Sequence, residues 1–318
     1  MRRLIAVATD KDGKKIWRGH FGMSPFYTVF DEDGNFVEKR VNPYAKEGKH
    51  HDDPNLIVNL LSDVSLFIAK NMGHKSREKL TKELGVKSIL VDLDNIDEAL
   101  RYYLDVKRNV DVFERCHEKY EEWFDKYDAV YKSELELLKS IMPKNAKKSI
   151  EIGVGSGRFA EPLGIKEGVE PSSEMSKIAS QRGIKVYPGF AEDLPLSSEI
   201  YDFALIAVTI CFVKDRDKTL SEIYRILKPK GKIAVAIVDR DTEIGKEYLN
   251  KQQKGQFYKT ATFFSTKEIV DLLKKHNFKV EKIGQTLFGD SMKTINEFQL
   301  HKEGFGEGGF VVILGEKI

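Results

Sequence analysis

A chain of 318 residues is longer than one hydrophobic core usually organises, so two domains are expected. Its 52 Lys and Arg against 50 Asp and Glu leave a net charge of +2, which gives no support to nucleic acid as a partner, and two isolated cysteines argue against a disulfide framework or a cysteine-ligated cluster. No apolar run approaches the roughly 20 residues that cross a bilayer, and Met1-Arg2-Arg3-Leu4 enters a strand pattern rather than a leader, so no membrane partner is expected and the expected location is cytoplasmic.

In chain order, 4–8, 26–30 and 36–41 read as strands, with a turn over 31–35 between the last two. Asp53 as N-cap and Pro54 at the first helical position open a helix. A buried strand over 65–70, a helix over about 76–84, a strand over 88–91 and a helical segment over 96–104 follow. Strands alternating with helices imply an α/β unit on a mostly parallel or mixed sheet. Residues 109–140 then become helical, charged and rich in aromatics, including Tyr120, Trp123, Phe124, Tyr127 and Tyr131. The expected domains are 1–108 and 109–318, with no Gly/Ser linker between them, so that the two pack together or share a charged helix.

The most informative stretch is Ser149-Ile150-Glu151-Ile152-Gly153-Val154-Gly155-Ser156-Gly157, followed by a second acid, Glu170, at the end of the next apolar run. It reads as strand, glycine loop, helix and second strand ending in a carboxylate, the wiring of a nucleotide-binding crevice. A dinucleotide loop would want Gly-x-Gly-x-x-Gly, and the last of those positions is Arg158. Two carboxylates would also repel a pyrophosphate. S-adenosylmethionine, with a sulfonium, an ammonium and a ribose diol, suits both facts.

The blocks that follow come as Glu170-Pro171, Ala191-Glu192-Asp193-Leu194-Pro195, Tyr201-Asp202-Phe203-Ala204-Leu205-Ile206 and Leu227-Lys228-Pro229-Lys230-Gly231. In these blocks and their order, the chain from about residue 115 to the end resembles the class I S-adenosylmethionine-dependent methyltransferases of the small-molecule type. The resemblance implies a Rossmann-like seven-stranded sheet. It implies Glu151 at the ammonium end, Gly153, Gly155 and Gly157 along the carboxypropyl chain, and Glu170 on the ribose hydroxyls. Pro171, Ala191 and Glu192 would then lie at the adenine, and Thr209 and Ile210 at the methionine sulfur. Phe190 stands where the family often has an acid, so backbone or stacking contacts would replace a carboxylate there. Cys211 is expected to be a small buried residue, because an activated methyl donor requires no covalent enzyme intermediate. No catalytic residue is assigned. Tyr120 and Tyr131 are candidates for a substrate wall, with core packing as the equal alternative.

Four of seven histidines lie in the first domain, beside glycines or in loops: His20, His50, His51 and His74. Spacing alone favours solvated side chains, since no His-x-x-x-His pattern is present. However, Ile5-Ala6-Val7-Ala8-Thr9-Asp10, Gly19-His20-Phe21-Gly22, Pro25-Phe26-Tyr27, Asn42-Pro43, His51-Asp52-Asp53 and Met72-Gly73 resemble the dinitrogenase iron–molybdenum cofactor-binding family. That resemblance implies a ribonuclease H-like α/β fold and a metal or metal–sulfur cluster, for which His20, His50 and His51 are the candidate ligands.

The expected function is methyl transfer from S-adenosylmethionine to a small-molecule acceptor, with an accessory metallocluster-binding-like domain. Thr209-Ile210-Cys211-Phe212 lacks the Asn/Asp-Pro-Pro-Tyr signature frequent in nucleic-acid methyltransferases. Two alternatives remain open: a metal or cluster carrier whose second domain senses S-adenosylmethionine without turnover, and an inert docking module in the first domain.

Overall fold

The computed structural model describes residues 4–45, 55–73, 77, 81, 85–252, 255 and 257–318. The chain forms two compact units, one of residues 1–107 with 188–197, the other of residues 108–187 with 198–318. The expected helix start at Asp53 and Pro54, most of the helix expected over 76–84, and His50, His51 and His74 lie outside the described residues.

In the first unit, β1 (Leu4–Thr9), β2 (Phe26–Phe30), β3 (Phe36–Val41), α1 (Asn55–Leu60), β4 (Val64–Ala69) and β5 (Lys87–Leu90) build a five-stranded sheet of order β3-β2-β1-β4-β5. The strands β1, β2 and β3 pair antiparallel, while β1, β4 and β5 run parallel. This mixed order is the α/β, ribonuclease H-like arrangement. β1 is buried at every position, as suits the centre of a sheet covered on both faces. Its Ala6 and Ala8 pack with Phe21, Tyr27, Phe67 and Met72 into one core.

The helix α2 (Ile96–Lys126) runs from the first unit into the second, residues 96–107 belonging to one and 108–126 to the other. It bends at Cys116, whose backbone leaves helical geometry (φ −118°, ψ 21°). Such a break lets one continuous segment present different faces before and after it.

The second unit continues through α3 (Asp128–Ile141), β6 (Ser149–Ile152), β7 (Glu167–Glu170), α4 (Ser173–Gln181), β8 (Lys185–Pro188), β9 (Tyr201–Ala207), α5 (Arg216–Ile226) and β10 (Leu227–Val238). It ends with α6 (Glu243–Gln252), α7 (Thr266–Lys275), β11 (Phe278–Thr286), β12 (Lys302–Glu303) and β13 (Phe310–Lys317). The sheet order is β12-β11-β13-β10-β9-β6-β7-β8, the seven strands of a Rossmann-like methyltransferase sheet plus the two-residue edge strand β12. β9 lies between β6 and β10 and is parallel to both, and β13 inserts antiparallel between β10 and β11. The order reverses beside β6, which is where open α/β sheets bind ligands, at the carboxyl ends of the strands. Among the described residues no helix is long and apolar enough to cross a membrane.

Candidate cofactor and acceptor site

β6 leads directly into the glycine loop, and all three of its glycines have left-handed backbone, with φ of 71° at Gly153, 55° at Gly155 and 86° at Gly157. A Cβ at Gly153 would stand 2.3 Å from the Thr209 Cγ2, so the loop and the end of β9 approach too closely for any other residue. The Thr209 hydroxyl donates to the Gly153 carbonyl at 3.2 Å and to the Ala207 carbonyl at 3.0 Å, fixing that approach. Just before it, Val208 has a φ of 50°, a conformation costly for a β-branched residue. Its amide still reaches the Ala236 carbonyl at 2.9 Å, so the turn is imposed at the strand end where Thr209 and Ile210 must leave the sheet.

Glu170, at the end of β7, accepts the Gly155 amide at 2.9 Å and the Ser172 amide at 2.8 Å, and thereby joins the glycine loop to the start of α4. Ser172 caps that helix, accepting the Met175 amide, and its hydroxyl donates to Glu114 at 2.6 Å. The Glu174 amide also donates to Glu114, at 3.2 Å. Glu114 is an acid at the α4 N-terminus that the motif pattern does not contain, because it comes from α2.

Glu151 is 2 % exposed, and its Oε2 has no hydrogen-bond partner. Burial, reinforced by the charge of Glu170, pushes its carboxyl well above the usual range, against the opposing effect of a backbone hydrogen bond at Ala160. A buried acceptor atom left without a donor is costly unless a ligand supplies one. An ammonium group would do so, and the residues present therefore fit the amino-acid end of S-adenosylmethionine.

Tyr120 of α2 stands over the loop, its hydroxyl 3.5 Å from where a Cβ on Gly155 would be. Burial and the charges of Glu151, Glu121 and Glu170 raise its phenol far above the ordinary value, so it stays neutral. The next residue, Glu121, pairs with Arg158 at 2.8 Å and with Arg182 at 2.5 Å, and Arg182 also donates to the Ser156 carbonyl, which ties α2 to the flank of the loop. The Tyr131 ring packs 5.0 Å from Phe124 and 5.8 Å from Phe159, and its hydroxyl donates to the Arg158 carbonyl.

The structure thus brings Glu151, Gly153, Gly155, Glu170, Thr209 and Tyr120 together, with Gly157, Pro171 and Ile210 adjoining them in the chain. Ala191 and Glu192 lie within residues 188–197 of the first unit, and both are buried. Cys211 is buried and unoxidised, its sulfur donating to the Val208 carbonyl at 3.3 Å, and burial pushes its thiol up to about 12. Such a thiol is inert at neutral pH.

In the first unit, His20 precedes the short turn over Phe21–Met23, and its carbonyl accepts the Met23 amide at 2.9 Å. Among the described residues no three His, Cys, Asp or Glu side chains come together in a way that could hold a metal ion, while His50 and His51 lie outside that set.

One buried acid went unread in the chain: Glu134 on α3, 4 % exposed. The signal was present, since Val130, Leu137, Leu138 and Ile141 form a helical apolar stripe and Glu134 falls inside it.

Comparison with known proteins agrees with this architecture. Residues 150–235 match the family described as a methyltransferase domain, and residues 1–106 match the family described as dinitrogenase iron-molybdenum cofactor. An uncharacterized protein of Methanocaldococcus jannaschii is 47 % identical over 209 residues, covering 66 % of this chain and 100 % of the relative. A crystal structure from Thermotoga maritima, described as an S-adenosylmethionine-dependent methyltransferase and possible histamine N-methyltransferase, is 48 % identical with a TM-score of 0.64. That structure covers 66 % of this chain and is itself covered completely. The demethylmenaquinone methyltransferase of Oceanobacillus iheyensis is 25 % identical over 185 residues, 51 % of this chain and 73 % of the relative.

Proposed function

Because the chain belongs to the S-adenosylmethionine-dependent methyltransferases, with a first segment matching the dinitrogenase iron-molybdenum cofactor family, we propose that it methylates a small-molecule acceptor. The observation that carries this reading is the buried, partnerless Oε2 of Glu151 beside a glycine loop held by Glu170. In this reading Glu151 receives the ammonium, Gly153, Gly155 and Gly157 admit the carboxypropyl chain, Glu170 takes the ribose hydroxyls, Pro171 lies at the adenine, and Thr209 and Ile210 wall the sulfur. The bound donor supplies an activated methyl group. The protein's own share is alignment and exclusion of water, for which the ring of Tyr120 above the loop is suited. No covalent enzyme intermediate is involved, consistent with the inert thiol of Cys211. We assign 109–318 to this activity and 1–108 to an accessory domain.

Isothermal titration with S-adenosylmethionine and its demethylated product, on the intact chain and on Glu170→Ala, tests the reading. Saturable binding that the substitution largely abolishes is expected. No binding by the intact chain would overturn it.

A second reading rests on the match of residues 1–106: a metal or cluster carrier, with His20, His50 and His51 as ligands, whose second domain senses S-adenosylmethionine. The described residues bring no such ligand set together, and no step of the proposed reaction runs through a metal. Metal content that survives replacement of His20, His50 and His51 would exclude these histidines as the ligands, and an intact chain that holds no metal would exclude the carrier reading.

A further inference from the structure

The two edges of the first sheet differ. β5, at one end, is occupied, its Leu90 amide donating to Asp193 at 2.9 Å. β3, at the other end, pairs only with β2 among the described residues, and every residue of it is exposed except the half-buried Arg40. Its bonding phase is fixed just past its end, where the Asn42 amide donates to the Pro25 carbonyl at 3.0 Å. In an antiparallel ladder the next bonded pairs are then Tyr27 with Arg40 and Val29 with Glu38, and the amides and carbonyls of Lys39 and Val41 point away from β2. An edge of this kind is a template for another strand.

The side chains along that edge are apolar to a degree the rest of the unit avoids. Among the described residues, the exposed large apolar side chains of the first unit are Met23, Phe36, Val37 and Val41. Three lie on β3, with Phe36 65 % and Val41 62 % exposed. Met23 stands between Gly22 and Ser24, whose carbonyls both accept the Asn42 side chain directly after β3. Scattered surface apolar groups need no explanation, but a set gathered along one open strand marks a surface that is covered in use.

We propose that β3 pairs antiparallel with β3 of a second copy of this chain, about a twofold axis at Lys39, joining the two sheets into one. A twofold axis normal to the sheet keeps each residue on its own face, so residues opposite one another are equally distant from the axis. With the axis at Lys39, Glu38 of each copy faces Arg40 of the other, and Val41 of each comes against Val37 of the other. An axis at Glu38 or at Arg40 would set Glu against Glu or Arg against Arg and leave the remaining charges opposite uncharged residues. Lys39 meets its own counterpart, but its ammonium is drawn off the edge, lying 4.1 Å over the Phe26 ring and donating to the Lys11 carbonyl. Arg40 is held in place beforehand, by Glu38 and Asp63 at 2.6 Å each and by the Leu60 carbonyl at 3.1 Å. The dimer thus extends an existing ion-pair network across the axis instead of ordering a new one. The β2–β3 register shifts beyond Glu38, which bends β3 there and confines the shared ladder to residues 37–41. A second copy is the occupant because the strand is complementary to itself. This gives the first unit a role that depends neither on a metal nor on the methyl-transfer reading.

Sedimentation of the full chain over roughly 1–200 µM, the range in which a short interface associates reversibly, tests the proposal. A monomer–dimer equilibrium is expected. Glu38→Arg sets like charges opposite one another twice and should raise the dissociation constant at least about tenfold. Val41→Pro removes an amide that points away from β2, so it spares the bonds within the first sheet and should weaken the dimer as much. Thermal melting of both variants, at a concentration where the parent is monomeric, should stay near that of the parent, since both side chains are exposed. If Val41→Pro alone melts early, Glu38→Arg decides. A parent chain that is monomeric throughout the range overturns the proposal, as does dimerisation that a folded variant leaves unchanged.

Discussion

The Glu170 carboxylate receives the Gly155 amide at 2.9 Å, so the acid proposed to hold the ribose also holds the loop proposed to admit the carboxypropyl chain. Its other oxygen takes the Ser172 amide at 2.8 Å. Removing it therefore loosens two elements at once. Glu170→Ala should weaken S-adenosylmethionine binding at least about 10- to 100-fold, the worth of one charge-assisted hydrogen bond. Glu170→Gln retains one oxygen as acceptor and should fall between the two, a graded series that titration calorimetry resolves.

Gly153 and Thr209 provide a steric test. Alanine at 153 would be strained by its positive φ and would strike the Thr209 methyl, so Gly153→Ala should cost about 1–3 kcal/mol and abolish cofactor binding. Adding Thr209→Ala removes the Cγ2 and Oγ1 contacts at 2.3 and 2.6 Å and should recover part of the stability. No recovery in the double variant, followed by thermal melting, would mean that backbone conformation alone sets the cost.

These two relationships also show how much of the molecule could be read from residue order. The glycine loop, the acid after β7 and the order of blocks are local features, each dictated by a backbone angle or by a charge the ligand carries, and the fold of both units followed from alternating strands and helices. What escaped was long-range. Glu114 caps α4 from a distant helix, and residues 188–197 group with the first unit through pairs that no local pattern encodes. The stripe containing Glu134 was legible as a helix face, but only the packing of α3 shows that its carboxyl is buried.

Binding should release a proton. The Glu151 carboxyl is held well above its ordinary range by burial and by Glu170, so it is protonated more readily in the free protein than a solvated acid is. An incoming ammonium favours the ionised form and lowers the pKa again. Titrations in buffers of different ionisation enthalpy should show proton release at pH values between the bound and free pKa, and Glu151→Gln should abolish it.

Arg77 and Asp193 form an ion pair within the first unit, 1 % and 2 % exposed, in which Asp193 also accepts the Leu90 amide at 2.9 Å and Arg77 donates to the Leu194 carbonyl at 3.2 Å. Arg77→Met leaves a buried carboxylate without its cation and should destabilise that unit by about 3–5 kcal/mol. Pairing it with Asp193→Leu removes the stranded charge and should restore much of the loss. Calorimetric melting of the single and double variants checks this, and a double variant as unstable as the single would show that the Leu90 contact matters more than the charge.

The buried carboxyl of Glu134 sets a pH dependence of known sign. Burial raises its pKa in the folded chain to about 8, above the ordinary carboxyl value, so the folded state binds the proton more tightly than the unfolded chain. By linkage, its contribution to stability is greatest below the unfolded pKa near 4.5 and is lost as pH rises toward the folded value. Over that interval the loss amounts to roughly 3–5 kcal/mol, at 1.36 kcal/mol for each pKa unit. Glu134→Gln cannot ionise and should flatten this part of the profile, becoming more stable relative to the parent between about pH 5 and pH 8. Chemical denaturation of the two proteins across that range would read the difference directly. Parallel profiles would mean that the Glu134 carboxyl finds a compensating donor in solution and titrates as an ordinary acid.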